Sequence, residues 1–135
     1  MKYRKDYQAT HDIDWFFQYK GKMYHAASNG GELPKCIDSE NNRILQEEIE
    51  KLKRTFGVVM DNDVSRVYKE NEDLSSFREF ASKGFISLDR TVNEDGKRNR
   101  YHKVAYPAVA VNIKYFNLQV RDLIPKLEDV DIVIE

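Results

Sequence analysis

With 135 residues, 22 of them basic and 23 acidic, the chain carries a net charge of −1 and suits one domain, residues 1–135, with one hydrophobic core. Apolar residues make up 41% and aromatic residues 12%, which argues against a disordered chain, and the charge balance excludes a global field that would steer the molecule to nucleic acid or an anionic membrane. Cys36 is the only cysteine, so an intrachain disulfide and a cysteine-based zinc site are both excluded.

Residues 1–10 read as an arm or a short edge strand. The charged start, Met1 to Asp6, has no apolar run behind it and is not expected to be a signal peptide. The longest apolar window, residues 105–111, contains Pro107 and is too short to span a bilayer, so no membrane partner and a cytoplasmic location are expected. Residues 13–28 form the first hairpin, with Gly21 supplying the positive φ of a tight turn. Trp15, Phe17 and Tyr19 then share a face with Tyr24, Ala26 and Ser28, and this aromatic face is expected to lie beneath the long helix that follows. That helix starts at Asp38 or Ser39 and runs to about Phe56, with Leu45, Ile49, Leu52 and Phe56 as its stripe, Glu47–Lys51 and Glu50–Arg54 as surface pairs, and Gly57 at its close.

Val58, Val59 and Met60 read as a short strand or a connection. Asp61 or Asp63 starts a second helix with Val64, Val67 and Tyr68, and Asp73 a third with Leu74, Phe77, Phe80 and Ala81 inward and Gly84 as its stop. Residues 85–106 form a second hairpin around Asp95-Gly96; Ile86, Leu88 and Val92 share a face, Tyr101 and Ala105 match it, and Pro107 interrupts the ladder. Residues 108–113 are β-like, a helical stripe follows from Ile113 to Leu127 with a break at Pro125, and Val130, Ile132 and Ile134 alternate in a final strand. The pattern is α+β: an antiparallel or mixed sheet from two β-hairpins plus a C-terminal strand, with three or four helices packed on it. Trp15, Phe17, Tyr24, Leu45, Ile49, Leu52, Phe56, Phe77, Phe80, Ile86, Leu88, Phe116, Val120 and Leu123 are the expected core.

Several groupings invite a chemical reading. His11, Asp12 and Asp14 are metal-ligand types, and a metal-dependent enzyme built on them is one alternative. In an extended segment, however, both aspartates face away from His11, which favours a plain polar segment leading into a strand. Asp61-Asn62-Asp63 resembles the start of a calcium loop, but Arg66 stands where the sharp turn needs glycine, so helix capping is the better reading. Ser28-Asn29-Gly30-Gly31 lacks the Lys-Ser/Thr pair of a phosphate loop. Cys36 beside Lys35 is an activated thiol only if His25 or His102 lies near it. No catalytic residue, metal or cofactor is assigned. With Asp95-Gly96 as the turn, Asp89 falls opposite His102 as a cross-strand pair.

The second hairpin carries Lys97, Arg98, Arg100 and Lys103 within a stretch from Gly96 to Arg121 that has no acid, and these four are the candidate nucleic-acid-binding residues. The run from Leu74 through Phe77, Phe80, Ala81, Gly84, Phe85 and Ile86 to Leu88 resembles the last helix and following strand of a winged helix-turn-helix domain, with residues 93–100 as the wing and 101–106 as the return strand. The resemblance covers residues 61–106. It implies that the helix, exposing Ser75, Arg78, Glu79, Ser82 and Lys83, would read the major groove while the wing contacts phosphate. The leading expectation is nonetheless a non-enzymatic protein-interaction domain that meets a protein partner, or a second copy of itself, through aromatics on the first hairpin and the edge of residues 1–28.

Overall fold

A computed structural model describes residues 1–91 and 100–135. The elements run α1 (Lys5–Thr10), β1 (Asp14–Tyr19), β2 (Lys22–Ala27), α2 (Ser39–Glu50), β3 (Val58–Met60), α3 (Val64–Val67), α4 (Ser75–Ser82), β4 (Ile86–Arg90), β5 (Arg100–Pro107), a 3-10 turn (Ile113–Tyr115), α5 (Leu118–Leu123) and β6 (Val133–Ile134). The fold is α+β around a mixed six-stranded sheet of order β1-β2-β4-β5-β3, with β6 beside β5. Each hairpin is antiparallel, and the two are joined by parallel pairing of β2 with β4, Tyr24 opposite Ile86 and Ala26 opposite Leu88. A parallel pair needs a long crossover, and α2, β3, α3 and α4 supply it.

The first hairpin turns on Lys20 and Gly21, both at positive φ, which fixes Phe17 opposite Tyr24 and Trp15 opposite Ala26. Both of its faces are buried. Trp15, Phe17, Tyr24, Leu88 and Tyr101 pack under Leu33, Ile37, Leu127 and Ile132. Phe16, Met23 and Phe85 pack under Leu45 and Ile49 of α2 and under Phe116, Val120 and Ile124. The long helix therefore lies on the Phe16 side, not above Trp15 and Phe17. Alternation had marked one face as the inner one, but a strand buried on both sides carries no such distinction.

The C-terminal segment covers the other face. Gln18 N–H donates to Pro125 O at 2.8 Å and Leu127 N–H to Gln18 O at 2.9 Å, which pins the segment to the outer edge of β1. It then crosses to pair β6 in parallel with Arg100 and Tyr101 of β5. One short segment reaches both sides of the sheet only because the sheet curls around the Trp15 cluster.

Other departures trace to specific contacts. Lys5–Thr10 form α1, where Gln8 side-chain nitrogen donates to Tyr3 O and its oxygen accepts from Leu33 N–H, so this stretch is a docked helix, and among the described residues the only β pairing before it is a single bridge of Lys2 with Asp38. Asp38 caps α2 as expected, but the helix stops at Glu50, because the ammonium of Lys83 donates to Ile49 O (3.1 Å) and Glu50 O (3.3 Å). Beyond the stop, Lys51 pairs with Glu48 and Arg54 with Glu79, and Gly57 closes nothing. A bulge at Val104, with Ser87 opposite Ala105 but Leu88 opposite Lys103, turns Ala105 to the Phe77 cluster while Tyr101 stays with Trp15. Pro107 ends β5 opposite Val58 instead of interrupting it, residues 108–112 are irregular, and only Val133 and Ile134 of the last segment form a strand. Of the expected core, Leu52, Phe56, Phe80, Ile86 and Leu123 are half-buried and the rest buried.

Candidate functional site

The second hairpin brings together the site's first two residues. Its register sets Asp89 of β4 directly opposite His102 of β5, the pairing expected from the sequence, although the Asp95-Gly96 turn itself lies outside the described residues. Helix α3 adds the third. One turn long, it is closed by Tyr68 N–H donating to Val64 O, and this carries the Tyr68 ring over the hairpin. The phenol oxygen lies 2.6 Å from Asp89 Oδ2 and 2.8 Å from His102 Nε2, and Thr91 Oγ1 lies 2.9 Å from His102 Nδ1. All four residues are half-buried.

Donors and acceptors in this line follow from the chemistry. Burial, with the Asp89 carboxylate beside it, holds the Tyr68 phenol far above its ordinary range, so it keeps its proton and donates it to Asp89. Burial raises the Asp89 carboxyl, partly offset by the Tyr68 hydrogen bond and by His102. With its single hydrogen committed, the phenol accepts from His102 Nε2–H. In the neutral imidazole, Nδ1 then accepts from the Thr91 hydroxyl. The result is one directed line, Thr91 to His102 to Tyr68 to Asp89.

The line forms part of the wall of a cleft of about 650 Å³ between α3 and the second hairpin. Asp61, Asp63, Glu72 and Glu135 also line it, against Arg90 and Lys103. Among the described residues Asp89 has no ion-pair partner: its carboxylate accepts only from Tyr68 and from Arg90 N–H. Asp63 is paired with Arg66, and Glu135 lies 3.5 Å from Arg100.

A second histidine makes a different arrangement. His25 Nε2 lies 2.7 Å from Asp14 Oδ1 and its Nδ1 2.6 Å from Ser87 Oγ, a serine, histidine and aspartate in line. His25 and Ser87 are both 0% exposed, so no substrate meets the serine. The imidazole ties β2 to both of its neighbours, β1 and β4.

The other expected groupings separate. His11 stacks on Tyr7 at 3.8 Å with Nδ1 near Tyr7 O, Asp12 accepts from Asn29 N–H, and Asp14 is held by His25. Among the described residues no group of three or more His, Cys, Asp or Glu is placed to hold a metal ion. Asp61 accepts from Asp63 N–H at the start of α3. Gly31 packs against the Arg90 side chain, where a Cβ would come within 2.3 Å of Nε, so the Ser28-to-Gly31 turn is filled by arginine. Cys36 is an exposed residue, and partial desolvation of its thiol, with Asp131 nearby, moves it above its ordinary range, away from the reactive thiolate.

Of the four basic candidates, Lys97 and Arg98 lie outside the described residues, Arg100 sits beside Glu135, and Lys103 is exposed on the acidic cleft. Of the residues expected on the outer side of α4, Lys83, its C-cap, is only 5% exposed and serves α2, while Ser75 and Arg78 are open to solvent. Helices α3 and α4 precede strands β4 and β5, and β4 is an interior strand bonded to β2. The chain matches no family model, no curated protein and no solved structure. No helix of the described residues is long and apolar enough to cross a membrane. Sequence reasoning missed Tyr68 as a polar member of the site, because its place in the apolar stripe of α3 hides the hydroxyl.

Proposed function

We propose that this protein is a binding module that engages a protein partner through the cleft between α3 and the second hairpin, the partner contributing a lysine or arginine side chain. The observation that carries this reading is Asp89, a half-buried carboxylate on an acid-lined cleft whose own donors are neutral. Burial disfavours its charged form, and an incoming cation relieves that penalty. The first hairpin supports such a role less, because Trp15, Phe16, Phe17 and Tyr24 are buried and only Tyr19 is half-buried.

The test is fluorescence anisotropy with a labelled lysine-rich peptide. Binding that weakens with salt, and falls at least about tenfold in Asp89→Asn, supports the proposal. No binding at low salt, or equal binding by the variant, removes it. The same titration with single-stranded and duplex DNA addresses the nucleic-acid alternative that rests on Lys97, Arg98, Arg100 and Lys103. Salt-sensitive DNA binding lost on replacing those residues by alanine would favour it instead.

A further inference from the structure

The line that ends at Asp89 begins at a hydroxyl on the cleft, and that order has a chemical meaning. A hydroxyl becomes a nucleophile when a base within hydrogen-bond reach accepts its proton and a third group orients the base. Thr91 Oγ1 lies 2.9 Å from His102 Nδ1, and Tyr68, itself bonded to Asp89, holds Nε2 at 2.8 Å. Thr91 and His102 both face the cleft, unlike the sealed Ser87 and His25.

We propose that Thr91 is the nucleophile of an acyl-transfer site for carboxylic esters that carry a positive charge. Thr91 Oγ forms a bond to the ester carbonyl carbon while its proton passes to His102 Nδ1. The carbon–oxygen bond to the alcohol then breaks, and the alcohol leaves with that proton. Water attacks the acyl-threonine, again giving its proton to Nδ1, and the acid departs as Thr91 is regenerated. While the imidazolium exists, its Nε2–H donates to the Tyr68 oxygen and the phenol donates to the Asp89 carboxylate. Tyr68 and Asp89 are therefore positioning residues. Lys103, exposed on the same cleft, is the counter-charge for the oxyanion. The substrate's charge rests on the reading of the cleft as a cation site; the nucleophile does not.

A fluorophosphonate probe and a pair of p-nitrophenyl esters, of N-protected lysine and of N-protected norleucine, test both parts. Intact mass and peptide mapping are expected to show a single adduct on Thr91, absent from Thr91→Val, retained in Thr91→Ser, and formed about 100-fold more slowly in His102→Gln. Asp89→Asn slows labelling and Asp89→Glu restores part of the rate, with thermal melting confirming that each variant is folded. The lysine ester is cleaved roughly fivefold faster than the norleucine ester. No adduct on the folded protein, an adduct elsewhere, or a rate indifferent to His102→Gln would overturn the nucleophile. Labelling of Thr91 with equal cleavage of the two esters would overturn the substrate class, and with it the cation reading of the cleft, while leaving the nucleophile in place.

Discussion

Lys83 and Ile49 meet at the end of α2, where a buried ammonium donates to a helix-terminal carbonyl at 3.1 Å. The contact fixes the helix length, because Lys83 also takes the carbonyl of Glu50. It joins α2 to the C-terminal end of α4 in place of the usual glycine cap, and its charge suits the negative end of the helix dipole. Lys83→Met keeps the bulk but leaves both carbonyls without this donor. The expected loss is about 1–3 kcal/mol in urea denaturation. An unchanged midpoint would mean that water serves the helix end equally well.

The His25 bridge gives a second stability test. His25→Phe leaves the fully buried Ser87 hydroxyl without its partner and costs about 1–3 kcal/mol. Adding Ser87→Ala removes the stranded group, so the double variant is expected to be more stable than the sum of the singles by about 0.5 kcal/mol or more. Strict additivity in denaturant titrations would show that the two side chains act independently.

Gly84 closes α4 at φ +111°, and a Cβ there would come within 2.9 Å of the Phe116 ring. Gly84→Ala therefore meets both backbone strain and a clash with a core ring, and a loss of about 1–3 kcal/mol is expected in thermal melts. A melting temperature equal to that of the parent protein would count against this placement of α4 over Phe116.

How much of this was legible in the sequence differs from element to element. Gly21 marked the first turn and the side-chain parity of its strands, though both Lys20-Gly21 and Gly21-Lys22 fit as the loop and only the structure selects the former; the parity of the Asp95-Gly96 dipeptide set Asp89 against His102. Asp38 and the Leu45–Ile49 spacing located α2. What stayed hidden depended on distant partners. The end of α2 is set by Lys83, far along the chain, and the bulge at Val104 reverses a face that simple alternation assigns. The burial of both hairpin faces follows from a C-terminal segment whose path no local pattern declares. In the candidate site, the Asp89–His102 pair could be read, but Tyr68 and Thr91 join it only through tertiary placement.

The pH dependence of Asp89 has a definite sign. Burial raises its carboxyl in the folded protein above the unfolded value of about 3.9. The folded state therefore holds this proton more tightly. Its stabilising contribution is complete below the unfolded value and is lost as pH rises through the raised folded one. Asp89→Asn removes the titration, so the variant is expected to gain stability relative to the parent as pH rises from about 3 to 7. Glu79 and Asp129, which Arg54 and Tyr19 respectively pull the other way, titrate alike in both proteins and cancel. A gap that is flat or narrows over that range in denaturant titrations would contradict the burial of the Asp89 carboxyl.

The tautomer of His102 reports on the whole line from Thr91 to Asp89. Long-range nitrogen–proton NMR of the imidazole at mildly alkaline pH distinguishes a proton on Nε2 from one on Nδ1. The expected spectrum places it on Nε2, donating to Tyr68, with Nδ1 free to accept from Thr91. A proton on Nδ1 would reverse the line, leave Thr91 without a base, and contradict the central arrangement.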